Sequence, residues 1–179
     1  MTKRNEVALQ GRVYRRPTRR GPPSLGADLA ELVPFLAGTP GSRYLVVDAW
    51  DCLRARKLIE ARPAARLVML QEDGTVSLSV PPDSMEARPF YMPLKRALGF
   101  FTGRFDGAWL HFTHLSPERA AAIQEFVRWF AADSFVLILT IDGTWPPAAL
   151  PFGDPVHEVR GAGDFGPQSR WSRVWRISK

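Results

Sequence analysis

The sequence predicts an α/β fold, a three-layer sandwich built on a mostly parallel sheet and closed by a short antiparallel strand pair. Three observations carry this reading. The runs "RYLVV" from Arg43 and "SFVLILTID" from Ser134 are almost continuously apolar, as strands covered on both faces are. Between "GAWLHF" and "SFVLILT" stands "SPERAAAIQEFVRWFAAD", an amphipathic helix of the kind that crosses over between parallel strands. The tail segments "VHEVRG" and "SRVWRIS" are short and near one another, as a final pair of strands would be.

Each element has a local reason. In residues 1–23 the stretch "RRPTRRGPP" combines prolines with like charges, so an extended, flexible basic arm is expected rather than a helix. Residues 24–179 are then expected to form a single domain, since the chain is long enough for one ordinary core. Ser24 caps a helix whose Leu25, Leu29, Leu32, Val33 and Leu36 recur at helical spacing, with Pro34 bending it and Gly38 stopping it. The first buried strand ends at Asp48. Asp51 caps the next helix, which turns Cys52, Ala55 and Ile59 inward and Arg54, Lys57 and Arg62 outward. In "RLVMLQEDGTVSLSV" the alternation of Val76, Leu78 and Val80 with polar residues predicts a hairpin turning at Asp73-Gly74. Pro93 opens a short helix through Leu94, Ala97, Leu98 and Phe101, stopped by Gly103. In the long helix Ser116 is the cap, Pro117 the first helical residue, and Ala120, Ile123, Phe126, Val127 and Phe130 the apolar stripe.

Charge is unevenly distributed. The first 20 residues hold seven basic groups against Glu6 alone, which accounts for the whole formal charge of +6, and the other 159 residues balance 17 basic against 17 acidic. Such an arm on a neutral body suits a polyanionic partner. The lone Cys52 excludes an intrachain disulfide and a cysteine-based zinc site, so a reducing, cytoplasmic setting is expected. No apolar run approaches the ~18 residues of a membrane span, and no membrane partner is expected.

From Gly107 to Arg160 the order "AWLHFTH", "SPERAAAIQEFVRWFAA", "SFVLILTIDGTWPPAALP" and "VHEV" resembles the AAA+ ATPases, in particular their clamp-loader-like members. The resemblance implies a P-loop-NTPase-like sheet, a Rossmann-like one being the alternative. It also implies a polar sensor near Thr140 and Asp142, followed by a helix start at Pro147, Ala148 and Leu150. The chain departs from that family where Thr113 and His114 replace the acidic pair. In "GPPSLGADLAE", Ala27 and Asp28 stand where the phosphate-loop lysine and hydroxyl belong. Read this way, the domain is a degenerate NTPase that holds no nucleotide, metal or other cofactor.

The function expected is therefore a non-catalytic accessory subunit of a nucleic-acid-processing assembly, docked on other protein subunits. Nucleic acid would be met by Arg12, Arg15, Arg16, Arg19 and Arg20, and by Arg170, Arg173 and Arg176 interleaved with Trp171 and Trp175. A rival reading gathers Asp48, Asp51 and Asp142 at the carboxyl edge of the sheet, where oxygen ligands would hold magnesium for phosphoryl transfer or nucleic-acid cleavage. A third is a structural protein-interaction domain. His111 and His114, three apart on a strand, face opposite ways and do not share a metal.

Overall fold

The computed structural model describes residues 6–9, 12–15, 27–48, 53–72, 91–143, 150–162 and 169–179. Within the basic arm, β1 (Glu6–Leu9) pairs antiparallel with β2 (Arg12–Arg15). The main sheet then takes shape from α1 (Ala27–Ala37), β3 (Arg43–Val47), α2 (Leu53–Ala61) and β4 (Arg66–Leu70). A short α3 (Leu94–Ala97) continues as a 3₁₀ turn, Leu98–Phe100. After it come β5 (Phe105–Phe112), α4 (Pro117–Phe130), β6 (Ala131–Asp142), β7 (His157–Ala162) and β8 (Ser169–Ser178).

The six strands lie in the order β4-β3-β5-β6-β8-β7. Strands β4, β3, β5 and β6 are parallel, and β8 runs antiparallel between β6 and β7. This is the mostly parallel α/β sheet with a closing antiparallel pair that the apolar runs predict. The hairpin placed at Asp73-Gly74, the cap Ser24 and the helix start at Pro147 lie outside the described residues. Among the described residues no helix is long and apolar enough to cross a membrane.

Two apolar layers cover the sheet. On one face α1 and α2 bring Leu29, Leu32, Leu36 and Leu58 onto Tyr44, Val46, Trp109 and Ile138. On the other, α3 and α4 bring Leu94, Ile123, Phe126 and Val127 onto Leu45, Ala108, Leu110 and Leu137. Strand alternation assigns each side chain to its layer, so β5 sends Trp109 and His111 one way and Leu110 and Phe112 the other. Gly107 marks a close approach of α1: a Cβ there would lie 2.5 Å from a Leu36 methyl and 3.1 Å from the Val136 carbonyl. Helix α4 starts as its sequence dictates, with Ser116 Oγ accepting from Arg119 N and Pro117 in the first turn.

At the start of helix α2 the Asp48 carboxylate accepts from Arg54 N at 2.9 Å and Ala55 N at 3.3 Å, a contact the sequence reading did not include. Asp51 and Cys52 lie outside the described residues. Arg54 is also turned inward, only 1% exposed, because its guanidinium follows that same carboxylate into the protein.

Candidate functional site

The chain leaves β3 for α2 and β4 on one side, then returns across β3 to β5 and β6 on the other. That reversal lies at the carboxyl ends of β3 and β5, the place where open α/β sheets take ligands. Two groups of polar side chains converge there, one on each face of the sheet.

On the α1/α2 face the group is buried. Asp48, opposite His111 in the extension of the β3–β5 register, receives Arg54 Nη1 at 2.9 Å. His111 Nε2 meets Asp142 Oδ2 at 2.9 Å, and Arg170 Nε donates to Asp142 Oδ1 at 3.0 Å. Below them Trp109 Nε1 donates to Thr140 Oγ1, which in turn bonds Ser172 Oγ. Burial pushes the His111 pKa below its ordinary value, and the nearby Arg54 cation pushes it the same way, so the ring is neutral near pH 7. For Asp142, burial favours the neutral acid, but hydrogen bonding with His111 and the Arg170 cation outweigh it and hold the pKa down at about 2. Two carboxylates and two guanidiniums thus neutralise one another around an uncharged imidazole.

On the α3/α4 face the group is open. A cleft of about 270 Å³ is lined by Glu72, Pro93, Leu94, Lys95, His114, Ser116, Glu118, Arg119 and Ala122. Glu72, just beyond β4, organises it: Oε1 accepts from Leu94 N at 2.9 Å and Oε2 from Arg119 Nε at 2.9 Å. Arg119 also donates through Nη1 to the His114 carbonyl at 2.9 Å, and its guanidinium carbon stands 5.1 Å from the centre of the Phe112 ring. The first turn of α4, the start of α3 and the ends of β4 and β5 are thereby fixed around one cleft.

The structure redistributes the residues singled out in the sequence. Asp48 and Asp142 do reach the same edge of the sheet, but each is engaged by an arginine, and Asp51 lies outside the described residues. Among the described residues no cluster of three or more His, Cys, Asp and Glu side chains is placed to hold a metal. Arg12 and Arg15 lie on β2, while Arg16, Arg19 and Arg20 fall outside the described residues. Arg170, Arg173 and Arg176 do not form one surface: Arg170 is 1% exposed against Asp142, Arg173 is on the opposite face beside Glu158, and Arg176 is exposed on the Arg170 side. Sequence reasoning missed Arg54, Glu72 and Arg119. Period-two alternation carried a signal for the His111, Asp142 and Arg170 grouping once the strands are paired; Glu72 had none.

No protein-family model matches the chain, and no curated protein matches it in sequence. Solved structures do match in shape. The N-methyltransferase NodS from Bradyrhizobium japonicum WM9 superposes with a TM-score of 0.57 at 13% identity, over 85% of this chain and 93% of that one. A 1,6-didemethyltoxoflavin-N1-methyltransferase from Burkholderia thailandensis, solved with bound 1,6-didemethyltoxoflavin and S-adenosylhomocysteine, gives 0.55 at 13% identity over 86% and 78%. TrmN from Thermus thermophilus gives 0.59 at 15% identity over 83% of this chain and 48% of that one. These neighbours overturn the AAA+ resemblance, and with it the reading of a degenerate NTPase serving as a non-catalytic accessory subunit. The cause is that residues 107–160 report strand, crossover helix and strand, a hydrophobic pattern common to many parallel α/β layers, and report neither strand order nor turn chemistry. What the chain shares with these methyltransferases is the fold, a Rossmann-like one.

Proposed function

We propose that this chain is an S-adenosylmethionine-dependent methyltransferase whose donor binds in the cleft bounded by Glu72, Leu94 and His114. The observation that supports it most is the position of that cleft: it opens at the carboxyl edge of a sheet whose fold is that of methyltransferases. The donor set fits an adenosyl group. The Glu72 carboxylate, already oriented by Leu94 N and Arg119, retains lone pairs that would accept from sugar hydroxyls. Pro93, Leu94 and Ala122 offer apolar contact to a planar base. Lys95 and Arg119 would meet a carboxylate, and Glu118 adds negative charge for an ammonium or sulfonium.

The segment between β3 and α2 fits such a ligand less well. Its residues, Ala49, Trp50, Asp51 and Cys52, include no glycine of the sort that admits a ligand close to the backbone, and the Asp48 carboxylate is committed to α2. Binding is therefore assigned to the β4 and β5 side. When bound, the donor supplies a methyl group on a positively charged sulfur; the protein's part is to orient it and exclude water. Calorimetric titration with S-adenosylhomocysteine tests the reading. Saturable binding is expected, weakened about 10- to 100-fold in Glu72→Gln by loss of a charge-assisted hydrogen bond. A parent protein that gives no saturable heat would overturn it.

A second reading concerns partners. The confinement of the net +6 to the first 20 residues favours a polyanion, with nucleic acid the leading class.

A further inference from the structure

The exposed end of the sheet carries a feature that neither the cleft nor the buried charges use. On β8, alternation sends Trp171, Arg173 and Trp175 to the α3/α4 face. Across the strand boundary Arg160 pairs with Trp171, and Glu158 with Arg173. The Arg160 guanidinium carbon lies 3.7 Å from the centre of the Trp171 ring, while its side chain stays 69% exposed. Arg173 bonds Glu158 through Nε, and Arg160 Nε stands 3.9 Å from the same carboxylate, so two guanidiniums share one glutamate. Arg160 thus remains largely exposed beside an indole that is itself partly exposed.

This row continues inward. Register aligns Phe112 of β5 with Ile141 of β6, Ile141 with Trp171, and Trp171 with Arg160. Both of its ends pair an arginine with an aromatic ring: Arg119 over Phe112 at the cleft, and Arg160 over Trp171 at the outer strands. Trp171 on β8 lies two strand spacings of about 4.8 Å from Phe112 on β5 and Arg160 on β7 lies three, so the outer pair stands about 10 to 14 Å from the cleft end of the row. An indole held flat by a guanidinium, with a second arginine on the adjacent rung, matches a base with its phosphate.

We propose that Arg160, Trp171 and Arg173 form a binding platform for single-stranded nucleic acid, with a base stacking at Trp171 and backbone phosphates meeting the arginines. The proposal rests on the polyanion reading for the class of partner and on the β7–β8 geometry for its place. A duplex, with its bases already stacked, cannot use the indole.

The test is fluorescence anisotropy of labelled dT12, and of a 12-base-pair duplex, titrated with the full chain over a range of salt. Trp171→Leu should weaken dT12 binding by on the order of tenfold and leave duplex binding unchanged. Arg160→Gln, an exposed change that spares the core, should lower the slope of log affinity against log salt by about 0.7 on dT12. Replacing Arg15, Arg16, Arg19 and Arg20 with serine should weaken both probes and leave the Trp171 effect in place. If the parent binds dT12 but Trp171→Leu and Arg160→Gln, folded by their thermal midpoints, bind as tightly, the platform is wrong and the arm alone holds the nucleic acid. Equal losses on dT12 and duplex would also overturn the stacking. No binding of either probe by the parent would remove the polyanion reading and the platform together.

Discussion

Asp142 concentrates most of what the residue scale explains. It is 4% exposed and ionised, which is tolerable because Arg170 and His111 each occupy one of its oxygens. Asp142→Asn would break the buried ion pair with Arg170, and a loss of about 3 to 5 kcal/mol is expected in chemical denaturation. The pH dependence has a definite sign. His111 is held below its unfolded value of 6.5, so the unfolded chain binds more protons as pH falls through that value, and stability falls with it. Asp142 is depressed from 3.8 to about 2, so its contribution is complete above the unfolded value and is lost as pH drops towards 2. Denaturation midpoints measured from pH 7 to 5 should therefore decline in the parent, and more gently in His111→Gln. Identical slopes would show that His111 is not the responsible group. This cluster was only half legible in the sequence. Asp48 and Asp142 stood out as strand-terminal carboxylates, but their arginine partners lie 6 and 28 residues away, and no local pattern pairs them.

At the scale of elements, legibility followed periodicity. Helix α4 was readable from its cap to Phe130 because cap, proline and apolar stripe agree, and Phe126 does sit among Phe101, Phe105, Phe130 and Phe135, but Ala131–Asp133, read as its last residues, belong to β6. Arg54 was misread because an amphipathic pattern treats arginine as outward, whereas Asp48 supplies an ion partner inside. Gly107 gave no sign of its purpose in sequence, since the approach of Leu36 comes from an element about 70 residues earlier. Gly107→Ala should overpack the α1 interface and cost about 1 to 3 kcal/mol, visible as a lowered thermal midpoint. A variant as stable as the parent would mean that α1 moves aside without cost.

For the whole molecule, the layer architecture was legible and the family was not. Apolar runs specify buried strands, and a crossover helix specifies parallel pairing, so the sandwich follows from hydrophobic pattern alone. Strand order does not follow, because β8 enters between β6 and β7 through long-range pairing that period-two alternation leaves open. The cleft was equally hidden: Glu72, Leu94 and the pair His114 and Arg119 come from three separate stretches and meet only when β4 and β5 are set on either side of β3. The proposed function stands on an adenosyl ligand occupying this cleft rather than the segment after β3. Amide hydrogen exchange with and without saturating S-adenosylhomocysteine tests it most directly. Ligand-induced protection is predicted in peptides covering residues 91–98 and 113–122, where Leu94 N–H and the first turn of α4 border the cleft. Exchange unchanged in both segments, or protection confined to residues 49–55, would contradict it.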